Sequence, residues 1–251
     1  MQKRGQVTLF VILGLVLLLI AALYLYARDQ YGITVPTNQY LAAQLRPIQD
    51  NIEECIQKEF EPGARLLAHQ GGSFIPNTFI RYKNMQVRVV CADIPGKQTC
   101  LNLLQPFTVI EHELQAYLQF KIDHCINREL ASKPGYTVEG TKNVLVKVKA
   151  QDDAVEVTVN YDIKLVKDAQ SVILPEMSRV LRDAPLASLY PVVVDLVNSE
   201  ARSGSFDTLG YMLQKRGHYL VTVDKPYPDK VYKISKKGST YEYWVAVQGG
   251  A

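Results

Sequence analysis

Beyond residue 28 the sequence has no second apolar run long enough to cross a bilayer, so the single such run near the N-terminus has no membrane partner within the chain. There is no C-x-x-C, no H-E-x-x-H, no G-x-x-x-x-G-K-[ST] and no G-x-S-x-G. These absences remove finger-type zinc sites, zinc-protease helices, P-loop phosphate binding and the hydrolase elbow in turn. EF-hand spacing is missing as well. Neither sign of charge dominates: 28 Lys and Arg stand against 25 Asp and Glu, intermixed, with no basic stripe and no acidic tail. Nothing therefore points to nucleic acid. Low-complexity segments and fixed-period repeats are also lacking.

The run that is present extends from Val7 to Ala27, with no charge between Arg4 and Arg28. As a helix it covers roughly 30 Å, the thickness of the hydrocarbon core. Tyr24 and Tyr26 fall at its end, where amphipathic rings favour the headgroup region. Lys3 and Arg4 precede it, whereas Arg28 is followed at once by Asp29. The positive-inside rule then puts residues 1–6 in the cytoplasm and the rest outside. A cleaved secretory signal fits less well, because its apolar core is shorter, ~7–15 residues, and ends in a small-x-small site.

Four cysteines follow: Cys55, Cys91, Cys100 and Cys125. An even number outside the membrane reads as two disulfides, with three pairings open. Cys91 and Cys100 flank a Pro-Gly turn, and Cys55 and Cys125 each sit in a helical pattern, which favours Cys91–Cys100 and Cys55–Cys125. The long loop would contribute about 4 kcal/mol and the short one less than about 3 kcal/mol on the chain-entropy account. A zinc site is the rival reading, and no cysteine pair has finger spacing.

Spacing along the chain gives an α+β expectation: an N-terminal transmembrane helix, then an extracytoplasmic domain of antiparallel hairpins and helices. Gly32 and Pro36 mark a linker over 28–37. Leu41, Leu45, Ile48, Ile52, Ile56 and Phe60 predict an amphipathic helix over 38–60, interrupted at Pro47 and ended by Glu61-Pro62-Gly63. Strands are expected at 79–83 and 86–90 and a long helix at 107–131. Val144 to Val148 and Val155 to Leu165 alternate with period two and predict a hairpin turning at Gln151-Asp152-Asp153. Residues 175–202 read as helix, with Pro175 in its first turn and Pro185 and Pro191 dividing it. A short helix over 206–215 and strands near 218–224, 230–235 and 240–247 complete the chain. The outer part is expected as one compact unit or as two packed subdomains, a disulfide-stapled one over 38–134 and a hairpin one over 135–251.

Chemistry is sparse. His112 and His124 lie twelve apart on the long helix, so they do not stack as a ligand pair, and His69 and His218 read as local structure. Gly71 and Gly72 read as a turn needing positive φ. Asp152 and Asp153 read as turn residues. A carboxylate pair for glycoside hydrolysis could be distant along the chain, and nothing selects one. No catalytic residue, cofactor or metal site is indicated. Of fifteen tyrosines, several crowd the C-terminus with the single tryptophan, making Tyr232, Tyr241, Tyr243 and Trp244 a candidate binding face, against the plainer reading of ordinary strand composition.

Lys3-Arg4-Gly5-Gln6 before the apolar run resembles the class III, prepilin-type signal of archaeal surface proteins, which implies cutting between Gly5 and Gln6 with the helix retained. The chain departs from pilins at Phe10, where they carry glutamate, and at the Gly32 and Pro36 break. The order KRGQVTLFVILG, a helix with one cysteine, HQGGSFIP and a helix with a second cysteine resembles uncharacterised single-pass envelope proteins of small-genome archaea. No activity comes with that family; the leading expectation is a membrane-anchored extracytoplasmic domain acting in binding or envelope structure, with the bilayer and either other envelope proteins or further copies as partners. A pilin-like filament subunit processed after Gly5 is the second reading, and an envelope enzyme with dispersed catalytic residues the third.

Overall fold

The computed structural model describes residues 13–14, 16–20, 22, 37–97, 99–131, 137–139, 144–161, 164–167, 170–173 and 176–249. Most of 7–27, the Gly5-Gln6 step and linker residues 28–36 lie outside them. Within the apolar run, residues 13–14, 16–20 and 22 are helical and exposed. Among the described residues no helix is long and apolar enough to cross a membrane.

Residues 45–251 form one compact unit of α+β type. The first helix, α1 (Thr37–His69), contains both Pro47 and Pro62. The expected stop at Glu61-Pro62-Gly63 does not occur. A proline inside a helix loses one hydrogen bond and crowds the preceding turn. Here the apolar stripe runs on beyond it, and Ile48, Ile52, Ile56, Phe60, Ala64, Leu67 and Ala68 are all buried on one face. Gly63 is required in that turn because a Cβ there would overlap the ring of Tyr117.

Tyr117 belongs to α2 (Phe107–Ala131), the long helix legible in the sequence. Its stripe is a strict four-residue series, Ile110, Leu114, Leu118, Ile122 and Ile126, each at most 2% exposed. The Cys55–Cys125 disulfide ties it to α1 with the Cα atoms 6.6 Å apart, and Lys121 pairs with Glu59 at 3.4 Å.

The main sheet is mixed. Its order is β1 (Phe79–Tyr82), β2 (Met85–Asp93), β12 (Glu242–Val247), β11 (Lys230–Lys236) and β10 (Tyr219–Asp224), with β3 (Cys100–Asn102) also on β2. Lys83 and Asn84 both have positive φ, as the β1–β2 turn needs. Antiparallel hairpins alone were expected, but β12 runs parallel to β2, with Ala246 opposite Val89 and Val247 opposite Cys91. This pairing joins the two halves on either side of residue 134 into one sheet. The Cys91–Cys100 disulfide closes β2 against β3, Cα atoms 5.4 Å apart.

The second sheet, β5 (Val144–Gln151), β6 (Ala154–Tyr161) and β9 (Met177–Arg182), is antiparallel. The β5–β6 hairpin matches the alternation in the sequence. Residues 177–182 were expected as helix and are a strand instead. Met177, Arg179 and Leu181 are more buried than Ser178, Val180 and Arg182, so period two governs and pairing with β6 overrides helix propensity. The sheet β4 (Thr137–Glu139), β7 (Lys164–Lys167) and β8 (Gln170–Ile173) is also antiparallel.

The helix placed at 175–202 begins at α3 (Leu186–Ser203), after Pro185, and passes through Pro191. It ends at Gly204, φ 70°, whose N–H donates to the Glu200 carbonyl oxygen. A short helix, α4 (Thr208–Gln214), is capped by Asp207, which accepts from the Gly210 N–H at 2.9 Å.

Candidate functional site

The four residues of the expected binding face lie inside the protein. Tyr232, Tyr241, Tyr243 and Trp244 are 3%, 5%, 0% and 8% exposed. β12 lies between β2 and β11, and both faces of the sheet carry buried side chains, Tyr243 and Val245 on one and Trp244 and Ala246 on the other. These aromatic side chains therefore pack within the protein and do not form an exposed face, with Tyr241 alone also lining a surface groove. Tyr241 lies under the guanidinium of Arg65, 4.4 Å from the ring centroid. Trp244 stacks on His69 with ring centroids 4.2 Å apart. His69 is thus the last residue of α1 and holds a structural contact, and burial keeps its imidazole below its ordinary pKa against the opposing pull of Glu242.

Gly71 and Gly72 have φ of 72° and 85°, in line with the turn reading. A Cβ on Gly72 would collide with the Tyr243 hydroxyl and Ile110. Asp152 has φ 37° at the β5–β6 tip, and Asp153 is engaged by Lys236 and by the Ser188 hydroxyl at 2.9 Å. His112, His124 and His218 are exposed. Among the described residues no group of three His, Cys, Asp or Glu side chains could hold a metal.

Two arrangements were not anticipated. The first is a buried polar triad. Glu200 falls where the stripe of α3 calls for an apolar residue, following Leu189, Val193 and Leu196, and it is 1% exposed. Lys230 donates to its two carboxylate oxygens at 3.2 and 3.1 Å and to the Gly204 carbonyl at 3.0 Å. The Tyr232 hydroxyl donates to the same carboxylate, and burial and that bond push its pKa up. All three ammonium donors are used, and the cation sits at the negative end of α3. A polar cavity of about 370 Å³ opens above the triad at the carboxyl ends of β2 and β12, walled by Asp93, Lys97 and Cys100.

The second is a groove of about 440 Å³ between α1 and β9. Gln57, Phe60, Glu61 and Arg65 form its helical wall, and residues 179–183 the other. Arg65 is fixed by Glu61 at 3.1 Å and by the Thr240 carbonyl at 2.9 Å. Arg179 reaches across to Glu53 and to the Gln57 amide oxygen. The groove offers guanidinium donors, an exposed strand and a buried apolar floor, which suits binding more than bond-making. The alternation of residues 177–182 is in their burial only; Met177, Val180 and Leu181 are spaced in the sequence as on a helix, so no strand signal was there to read.

In comparisons with family models, curated proteins and solved structures, nothing matches the chain.

Proposed function

We propose that the chain is a single-pass membrane protein whose residues 7–27 anchor an extracytoplasmic domain acting in binding or envelope structure, with residues 1–6 in the cytoplasm. The observation that carries this reading is the joining of all four cysteines in two pairs, with none left free. Such pairs persist in oxidising compartments outside the cytoplasm. The exposed apolar side chains of Leu13 and of residues 16–20, with Leu18 at 70%, add support, since lipid is the medium that would cover them. The α1–β9 groove supplies a surface for the binding role.

The test is to quench growing cells in acid, alkylate, and analyse the chain by nonreducing mass spectrometry. Linked peptides containing Cys55 with Cys125 and Cys91 with Cys100 are expected, and four alkylated thiols would overturn the reading. Protease added to intact spheroplasts should remove the domain and leave the N-terminal residues protected.

A second reading, a pilin-like subunit, is favoured by Lys3-Arg4-Gly5-Gln6 ahead of the apolar run. An intact mass beginning at Gln6, with filaments in sheared fractions, would replace the first reading by this one. An unprocessed N-terminus without filaments removes it.

A further inference from the structure

We propose that the groove between α1 and β9 is a strand-addition site for an extended peptide segment carrying one carboxylate, an assignment that rests on the binding role above. Successive side chains of a strand point to opposite faces. A groove touched by the consecutive residues Arg179, Val180, Leu181 and Arg182 must therefore run along the backbone edge of β9. Among the described residues that edge is unoccupied on one side, because β9 is the outer strand of the β5–β6–β9 sheet. Unpaired backbone N–H and C=O groups on such an edge are a template for another strand.

The opposite edge of the same sheet is closed. The Gln119 side-chain amide of α2 donates to the Val144 carbonyl and accepts from the Val146 N–H at 2.8 Å, and Glu111 accepts from the Ala150 N–H at 2.9 Å. Helix side chains thus imitate a neighbouring strand along β5, and nothing comparable covers β9 among the described residues. β9 contains no proline and no lysine to blunt it, and Val180 is 54% exposed.

Charge sets the occupant. Three guanidinium groups, of Arg65, Arg179 and Arg182, meet three carboxylates, of Glu53, Glu61 and Asp183. Arg65 is held by Glu61 and Arg179 by Glu53, whereas Arg182 is exposed and has no carboxylate partner among the described residues. Arg182 is thus the guanidinium left to pair an anionic group, and Asp183 beside it disfavours a second. The apolar floor, from Phe60, Leu181 and Tyr241, suits β-branched or aromatic neighbours. The 179–182 edge is about 13 Å long and takes about four extended residues.

The test uses the full chain in detergent micelles to select from a displayed library of random eight-residue peptides. Synthetic copies of enriched peptides are then measured for binding and for their effect on amide exchange. The expected winners carry one Asp or Glu among β-formers and protect the amides of 177–182. Arg182→Glu should weaken them on the order of tenfold and restore binding when the peptide acid is changed to lysine. Absence of enrichment, or protection confined to other elements, overturns the proposal. So does a concentration-dependent dimer abolished by Arg182→Glu, which would put a second copy in the groove. Loss of peptide binding with the cellular disulfides intact removes this assignment alone. Four free thiols in cells would instead remove the anchored reading and leave the groove measurement standing.

Discussion

Lys230 places its ammonium nitrogen within 3.2 Å of both carboxylate oxygens of Glu200, with the two side chains 7% and 1% exposed. The pair joins α3 to β11 beneath the cavity at the carboxyl ends of the two parallel strands. Removing one partner leaves an uncompensated buried charge, which costs about 3–5 kcal/mol. Glu200→Gln and Lys230→Met should each lose stability on that scale in urea unfolding. The combined Glu200→Leu, Lys230→Met variant should recover most of it. Single variants within about 1 kcal/mol of the parent would show that the pair is not sealed from water.

The His69–Trp244 stack gives a pH dependence. Burial lowers the His69 pKa below 6.5, so in the window just under 6.5 the unfolded chain binds more protons than the folded one. Stability should be full above 6.5 and fall as the pH drops through that window. Trp244 is the only tryptophan, and imidazolium quenches indole emission, so fluorescence reports the same titration. Its midpoint should lie below 6.5. His69→Phe should keep the stack and abolish the emission change. An unaltered titration in that variant would assign it to another group.

Gln119 holds two backbone groups of the β5 edge, at Val144 and Val146. Gln119→Leu preserves the helix and leaves both unsatisfied, for a loss of about 1–3 kcal/mol. Hydrogen exchange at the Val146 amide should accelerate while exchange in α1 is unchanged. Equal protection in parent and variant would mean that another group closes this edge.

The two disulfides close loops of very different length, with sequence separations of 70 and 9. On the chain-entropy account, Cys55→Ala with Cys125→Ala costs about 4 kcal/mol and Cys91→Ala with Cys100→Ala less than about 3 kcal/mol. Urea midpoints of the two double variants should fall in that order. The reverse order would point to native-state packing of Cys91, which is 0% exposed, as the larger effect.

What could be read in advance follows the range of the forces. α2 was legible because its five buried residues repeat every fourth position, and the β5–β6 hairpin because its valines alternate. Both patterns are local. The cysteine pairing was legible because a Pro-Gly turn brings Cys91 to Cys100 and leaves the two helical cysteines for each other. Pro62 misled, since the local rule ends a helix that tertiary burial of Ala64, Leu67 and Ala68 continues. The β2–β12 pairing was hidden because it joins positions far apart along the chain, and the β9 strand because Met177, Val180 and Leu181 are spaced as on a helix. The groove inherits that opacity, as its walls come from α1, β9 and the two residues just before β12. The tyrosine cluster was visible as composition, but composition does not say whether a strand is central or at an edge.

The parallel pairing of β2 with β12 also bears on how the chain is made. Val89 and Cys91 are synthesised early, and their neighbours Ala246 and Val247 leave the ribosome more than a hundred residues later. Until then the nascent polypeptide carries β2 with one flank open, whatever its helices have achieved. A ribosome stalled before residue 242 would release a product that cannot finish its central sheet, and such a fragment is a substrate for chaperones and proteases. Completion of this sheet therefore waits for β12, however early β2 is made.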